Sequence, residues 1–155
     1  MREKAYLVLQ NGRVFAGERF GAAGDVTAEI VFATGMTGYL ETLTDPSYHG
    51  EIVVQTFPLI GNYGVIREDF ESPRPRLSAY VVRELCDAPS NFRSGGTLDD
   101  YLRESGVAGL AGVDTRTLTR IIREHGAMNA AVCSRLPEDL PAFAADLAER
   151  RLSGG

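Results

Sequence analysis

Short apolar runs separated by turn signals dominate the first half of the chain and predict a group of β-strands. Residues 5–9 are apolar and β-prone, and the dipeptide Asn11-Gly12 follows them. Because both residues of Asn-Gly tolerate positive φ, this dipeptide favours a tight hairpin and predicts a partner strand directly after it. Further strands are predicted at 29–32 and 52–56. The second of these is rich in β-branched residues, which is typical of a central strand buried on both faces.

Strands and helices alternate in the second half of the chain. One helix is predicted to begin after Asp114, whose carboxylate is suited to an N-cap, and to end at Gly126. Apolar residues at i, i+3, i+4 and i+7 from Leu140 predict a second, amphipathic helix. Strands followed by such an alternation indicate an α/β or α+β domain with helices on one side of the sheet. The other predicted elements are a helix at 37–43, a loop at 57–75, a helix from Thr97, and strands at 77–85, 107–113 and 127–133.

Composition and charge narrow the possible classes of function. The 155 residues are 44% hydrophobic and 24% charged, which suits one globular domain with its own core. The formal net charge of −5 disfavours a nucleic-acid partner, which would require a basic surface. No apolar run approaches the roughly 20 residues that cross a bilayer, and no signal-peptide pattern opens the sequence. We therefore predict a cytoplasmic protein without nucleic-acid or membrane partners.

The cysteines and histidines do not indicate a catalytic or metal site. Cys86 lies between Glu84 and Asp87, and negative neighbours disfavour the reactive thiolate. Cys133 ends an apolar run, where free cysteine usually packs as a small hydrophobe. His125 is predicted on the last turn of a helix, where the helix dipole favours a cation. No C-x-x-C or H-E-x-x-H pattern is present, so no metal site is predicted.

The segment Asp45-Pro46-Ser47-Tyr48 fits a type I β-turn, because Asp suits its first position and Pro its second. Such a turn would place Ser47 at the surface. No G-x-S-x-G elbow surrounds this serine, so a nucleophilic role is not indicated. From these residues alone a plain turn is the simplest interpretation, and a small serine hydrolase using Ser47 stays open as an alternative.

A similar interpretation applies to the glycine-rich stretch at 106–112. Its G-x-x-G-x-x-G spacing lacks the lysine of a phosphate-binding loop, and Asp114 follows it, whose charge would repel a phosphate. We interpret the stretch as a strand whose small residues allow close packing by a helix.

Several motifs resemble one known family in order and spacing. They are Gly35-Met36-Thr37-Gly38-Tyr39, Leu43-Thr44-Asp45-Pro46-Ser47-Tyr48, Pro58-Leu59-Ile60-Gly61-Asn62-Tyr63-Gly64, Ser90-Asn91-Phe92-Arg93 and Asp114-Thr115-Arg116 followed by Leu118-Thr119-Arg120. The family is the N-terminal domain of the small, glutamine-hydrolysing subunit of carbamoyl phosphate synthetase. The resemblance extends from Ala5 to about Cys133, and it departs from the family at Ala33, where asparagine is usual.

The resemblance implies a fold that periodicity does not reveal. This is an α/β fold, a layered β/β/α domain with a largely parallel sheet and a second, antiparallel sheet. Residues 1–150 would form the small-subunit N-terminal domain. Residues 151–155 would begin a linker to an absent class I amidotransferase domain, which carries the family's catalytic cysteine, histidine and glutamate. No catalytic residue and no cofactor is expected in the N-terminal domain, and ATP and Mg are implied on the large subunit.

The resemblance also implies a role in ammonia delivery. Glutamine would be hydrolysed on the small subunit, and ammonia would pass to the large subunit for carbamoyl phosphate synthesis. Ser47 would hold the glutamine in place. The expected partners are the large subunit, the chain's own amidotransferase domain and glutamine, and the alternative is a stand-alone, non-catalytic docking module. The candidate interface residues are Tyr48, Leu59, Ile60, Asn62, Tyr63 and Arg116.

Overall fold

The computed structural model describes residues 3–33, 42–43, 45–56, 59–60, 75–85 and 98–150. The strands are β1 (Lys4–Leu9), β2 (Val14–Gly21), β3 (Val26–Ala33), β4 (Ile52–Gln55), β5 (Leu59–Ile60), β6 (Ala79–Val81), β7 (Glu84–Leu85), β8 (Ala108–Ala111) and β9 (Met128–Cys133). The helices are α1 (Leu98–Ser105), α2 (Thr115–His125) and α3 (Leu140–Glu149), and a 3₁₀ turn covers Pro46–Tyr48.

Seven of the strands close into one barrel in the order β1-β2-β8-β6-β4-β3-β9. One half is antiparallel, because β1 pairs antiparallel with both β2 and β9. The other half is parallel and runs through β3, β4, β6 and β8. The halves meet where β3 pairs antiparallel with β9 and where β2 pairs antiparallel with β8.

The predicted layered β/β/α arrangement is therefore wrong. The parallel and antiparallel strands that it assigned to two sheets are hydrogen-bonded to each other at both seams, so that they form the wall of one barrel. Within the described residues, the remaining strand pairing is the two-residue pair of β5 and β7, and it is parallel. Sequence periodicity could not reveal this closure, because it specifies which face of a strand is buried and not which strands become neighbours.

Most predicted elements inside the described ranges are confirmed. The hairpin at Asn11-Gly12 is present, with φ of 91° at Gly12 and a bond of 2.9 Å from Leu9 N to Arg13 O. Strand β4 is buried along its whole length and lies between β3 and β6, as its β-branched composition predicts. The strand predicted at 77–85 is divided into β6 and β7. The helix predicted at 37–43 and the loop predicted at 57–75 fall largely outside the described residues.

The largest cluster of buried side chains fills the barrel interior, since all seven barrel strands contribute to it, six of them with alternate residues and β2 with Phe15. Two residues of α2, Leu118 and Ile122, belong to the same cluster, and α2 contacts β3 and β4. Helix α2 therefore covers one end of the interior. The cap that starts this helix is the predicted one, because the Asp114 carboxylate accepts a bond of 3.2 Å from Thr117 N.

Two further clusters cover the outside of the barrel. Leu102 of α1 joins a cluster on the outer face of the parallel half, and Leu147 of α3 joins a cluster on the outer face of β1 and β9. Burying each leucine stabilises the fold by about 1.5–3 kcal/mol. Helix α3 is also held through Asn129 of β9, whose Nδ2 donates to Leu147 O and Arg150 O, both at 2.8 Å. This side chain satisfies carbonyls at the helix end that have no partner within the helix.

A helix packs against the glycine-rich stretch, as the sequence suggested, because α1 contacts β8 and its Leu102 clusters with Val107 and Ala111, but Gly109 itself accommodates another neighbour. It lies in β8 directly opposite Phe20 of β2, and a Cβ at this position would be 2.7 Å from atoms of the Phe20 ring. At this one position the small residue therefore leaves room for an aromatic ring of the neighbouring strand.

We expect Gly109→Ala to reduce the free energy of unfolding by about 1–3 kcal/mol, because the added methyl overpacks the site. Urea unfolding followed by circular dichroism measures this change. The same substitution in a Phe20→Leu background should cost clearly less, since the smaller side chain can move aside. An equal cost in both backgrounds would show that the Phe20 ring is not the cause.

Candidate functional site

The turn that carries Ser47 lies at the amino ends of β4 and β6. Gly50 N donates to Arg76 O at 2.9 Å, and Ser78 Oγ donates to Gly50 O at 2.9 Å. The predicted turn is present, with a bond of 3.1 Å from Tyr48 N to the Asp45 carbonyl. A second bond of 3.1 Å from His49 N to Pro46 O extends it into the 3₁₀ turn.

Ser47 is exposed, as the turn predicts. Its hydroxyl and its backbone N–H both donate to one carboxylate oxygen of Asp45, at 2.8 and 2.9 Å. The backbone N–H, and then the hydroxyl, lower the pKa of Asp45 below its usual range. Asp45 therefore stays ionised at neutral pH and holds the serine in one orientation, which leaves the hydroxyl oxygen as an acceptor for another molecule.

Tyr48 has a structural role besides its candidate interface role. It is partly buried and packs against the cluster on the outer face of the parallel half. Burial, followed by the charges of Asp45 and Glu51, raises the pKa of its phenol, so the ring stays neutral in the physiological range. Its contacts anchor the turn to the barrel, and this fixes the position of the neighbouring Ser47.

The structure does not describe the side chains of the four candidates in the loop after β4. Leu59 and Ile60 form β5, whose backbone pairs with β7, and their side chains are outside what the structure describes. Asn62 and Tyr63 lie outside the described residues. The interface predicted for this loop therefore stays a prediction.

Arg116 belongs to a different surface. With Arg120 and Arg123 it lies on the exposed face of α2. A cavity of about 820 Å³ opens beside this face, lined by those three arginines together with Arg83, Thr56, Thr115 and Thr119.

This cavity lies at the edge of the barrel opposite the Ser47 turn. Thr56 follows the last residue of β4, Arg83 follows β6, and α2 follows β8. Because these strands are parallel, their carboxyl ends meet at one edge, and Ser47 lies before the amino end of β4. Helical spacing could identify the three α2 arginines, but the barrel topology brings Arg83 and Thr56 to them, and no local signal in the sequence indicates that.

Comparison with known families decides the identity. The family described as "Carbamoyl-phosphate synthase small chain, CPSase domain" matches residues 7–132. The chain belongs to this family. The matched region contains the whole barrel except its outermost residues, together with the Ser47 turn and α2.

Relatives within the family are similar over most of the chain. A carbamoyl phosphate synthase small chain from Syntrophotalea carbinolica is 58% identical over 131 residues, which are 84% of this chain and 35% of that protein. One from Bacillus caldolyticus is 54% identical, covering 84% of this chain and 36% of that protein. A pyrimidine-specific small chain from Bacillus subtilis is 52% identical, covering 96% and 41%. The chain therefore spans between about a third and two fifths of the length of these relatives.

The described cysteine and histidines show ordinary structural environments. Cys133 is buried, and burial, followed by the charge of Asp25, raises the pKa of its thiol to about 11. The thiol is therefore protonated and unreactive at neutral pH. His125 ends α2, with Nδ1 3.2 Å from Ala127 O. His49 is exposed, and Cys86 lies outside the described residues.

Two absences concern the described residues alone. In that part of the chain, no three histidine, cysteine or acidic residues are placed to hold a metal ion. No helix there is long and apolar enough to span a membrane.

We expect Ser47→Ala to raise the pKa of Asp45 part of the way toward its ordinary value of 3.8, because the backbone N–H remains as the larger cause of the lowering. A carbon-detected NMR titration of the carboxyl group measures this shift. A lowered pKa stabilises the folded state above the pKa of the unfolded chain, and the contribution disappears as pH falls through the folded pKa. Ser47→Ala should therefore reduce the stability lost on acidification.

Ser134→Ala is the matched control for this titration. Ser134 donates through its N–H and its hydroxyl to one oxygen of Asp25, at 3.0 and 3.1 Å, as Ser47 does to Asp45, and its hydroxyl also accepts a bond of 3.1 Å from Arg19 Nη2. It should leave the pKa of Asp45 unchanged. If Ser47→Ala also leaves that pKa unchanged, the hydroxyl does not contact Asp45 in solution.

Proposed function

We propose that this domain forms part of the glutamine site of carbamoyl phosphate synthase, with Ser47 as a group that positions the substrate. The observation that carries the proposal is the exposed hydroxyl of Ser47, held by Asp45 on a turn that lies within the region matched to the small-chain family. Glutamine would be hydrolysed by an amidotransferase domain next to this turn. The ammonia would then serve carbamoyl phosphate synthesis on the large chain, where ATP and Mg act.

The geometry favours positioning over nucleophilic attack. A serine nucleophile needs an adjacent base that accepts its proton and a third group that orients the base. Among the described residues, the partner of the Ser47 hydroxyl is the Asp45 carboxylate. The lowered pKa of Asp45 makes this carboxylate a weak base, so the arrangement fixes the rotamer of the serine without activating it.

Docking to the large chain is the second part of the proposal. The loop around Leu59, Ile60, Asn62 and Tyr63 is the candidate contact surface, as its apolar and aromatic residues beside glycines suit close approach by a partner. A domain that docks without supporting glutamine hydrolysis is the alternative. The two differ in what Ser47 does, because a docking module has no use for an ordered hydroxyl at this turn.

Ser47→Ala in a small chain carrying this domain, assembled with its large chain, should lower kcat/KM for glutamine by about tenfold, as for the loss of one hydrogen bond. Synthesis from ammonia should stay near the unmodified rate, because ammonia bypasses the glutamine site. Both rates are measured as carbamoyl phosphate formation with glutamine or with ammonium as nitrogen donor.

Ser134→Ala again provides the control and should leave both rates unchanged. Equal losses with glutamine and ammonia in Ser47→Ala would indicate a role in assembly and favour the docking alternative. An unchanged rate with glutamine would remove Ser47 from the site.

The 155-residue chain by itself should not hydrolyse glutamine, since the described residues contain no thiol activated by a neighbouring base. Glutamate release from glutamine by the purified chain measures this. Activity that survives the joint Cys86→Ala and Cys133→Ala change would identify another nucleophile, and activity that one of these changes removes would identify that thiol as the nucleophile.

A further inference from the structure

The cavity beside α2 concentrates positive charge. Arg83, Arg116, Arg120 and Arg123 line it, and no acidic residue does among the described residues. The ion pairs in that part of the chain involve other arginines: Arg19, Arg103 and Arg150. Four guanidinium groups thus face one space in a chain whose formal net charge is −5.

Two of the arginines have neighbours that affect how available their guanidinium groups are to a ligand. The guanidinium of Arg123 lies 5.4 Å from the centre of the Phe32 ring, and a cation held over an aromatic face keeps its N–H edge available for hydrogen bonds. Arg83 contributes to lowering the pKa of Asp114, after the larger effects of the Thr117 hydroxyl and N–H. Asp114 therefore balances part of the Arg83 charge. Most of the unbalanced positive charge in the cavity belongs to the arginines of α2.

Thr119 provides an independent indication of a missing ligand. It lines the cavity and is 8% exposed, and its hydroxyl has no hydrogen-bond partner among the described residues. A threonine within a helix commonly bonds to the carbonyl four residues earlier, and Thr119 does not. Buried polar groups are nearly always paired. The Thr119 oxygen is itself shielded from solvent, so an acceptor that enters the cavity would pair with it after a small shift of the neighbouring side chains.

The dimensions indicate a ligand with more than one anionic group. Arg116 and Arg123 are seven residues apart on α2, which separates them by about 10.5 Å along the helix axis. A ligand with two anionic groups can therefore engage both ends of this row of arginines without the side chains converging on one point. The position at the carboxyl ends of parallel strands is also where α/β proteins commonly bind ligands.

We propose that this cavity binds a small oxyanion with at least two phosphate or carboxylate groups, held by the α2 arginines and by the Thr119 hydroxyl. Planar guanidinium groups match both kinds of oxyanion with two parallel hydrogen bonds. The site is separate from the Ser47 turn, since the two lie at opposite edges of the barrel. Binding at this site needs neither glutamine nor the large chain.

The test is calorimetric titration of the purified chain with inorganic pyrophosphate and, in a second series, with succinate, each against sodium chloride at equal ionic strength. We expect saturable binding of one molecule per chain for at least one of the two probes. The stronger probe identifies whether phosphate or carboxylate is preferred. Absence of saturable binding with both probes overturns the proposal.

Arg120→Gln and Arg123→Gln should each weaken the binding by about tenfold or more, as expected for hydrogen bonds to charged groups. Arg13→Gln is the matched control: Arg13 is also exposed and lies 5.6 Å from the centre of the Phe15 ring, but it does not line the cavity. Equal weakening of binding by all three substitutions would indicate general charge attraction and would also overturn the proposed site.

Thr119→Val tests whether the hydroxyl contributes to ligand binding in a variant whose fold should be intact. It removes the unpaired hydroxyl while keeping the shape of the side chain, so the midpoint of urea unfolding should stay the same or increase. Pyrophosphate or succinate binding should nevertheless weaken. Unchanged binding in Thr119→Val, with binding still lost in the arginine variants, would remove the hydroxyl from the site and refute that part of the proposal.

Discussion

The two-sided pairing of β3 is the constraint on which the rest of the structure depends. One edge of this strand bonds to β9 in antiparallel register, and the other bonds to β4 in parallel register. This strand thus joins the antiparallel half to the parallel half at one seam, and β8, which pairs with β2 and β6, joins them at the other, so that neither half exposes an edge there. Unpaired edges are costly and prone to association, and closure satisfies their backbone groups within the chain. Both candidate sites follow from it, because closure gives the barrel one amino edge and one carboxyl edge for its parallel strands.

The sequence predicts local structure well because the signals are local. An Asn-Gly dipeptide, an aspartate before a helix and a glycine after one specify backbone conformations within a few residues, and the hairpin and α2 appear where these signals place them. The resemblance to a family also depends on local signals, because its motifs are short segments that occur in a fixed order. The layered architecture was wrong because it concerns which strands are neighbours, and strand partners here are as far apart in sequence as Tyr6 and Cys133.

The two candidate sites differ in the same way: one depends on local sequence signals and the other on tertiary structure. Ser47 and its orientation by Asp45 depend on a three-residue turn, so the sequence could place the serine at the surface. The arginine-lined cavity depends on Arg83 reaching α2 across the parallel strands. The helical spacing of the α2 arginines follows from the sequence, but the sequence could not show that Arg83 and the buried Thr119 complete a concave surface with them.

Asn129 has a consequence for how the domain unfolds. It lies in β9, which is paired on both sides, and its side chain holds the last carbonyls of α3. A terminal helix usually frays independently of the sheet that it covers. Here the end of α3 cannot open without breaking bonds to the barrel wall, so the helix shares the cooperativity of the barrel. Slow amide exchange in β9 should thus extend into the last turn of α3, and the two elements form a single unit of local stability.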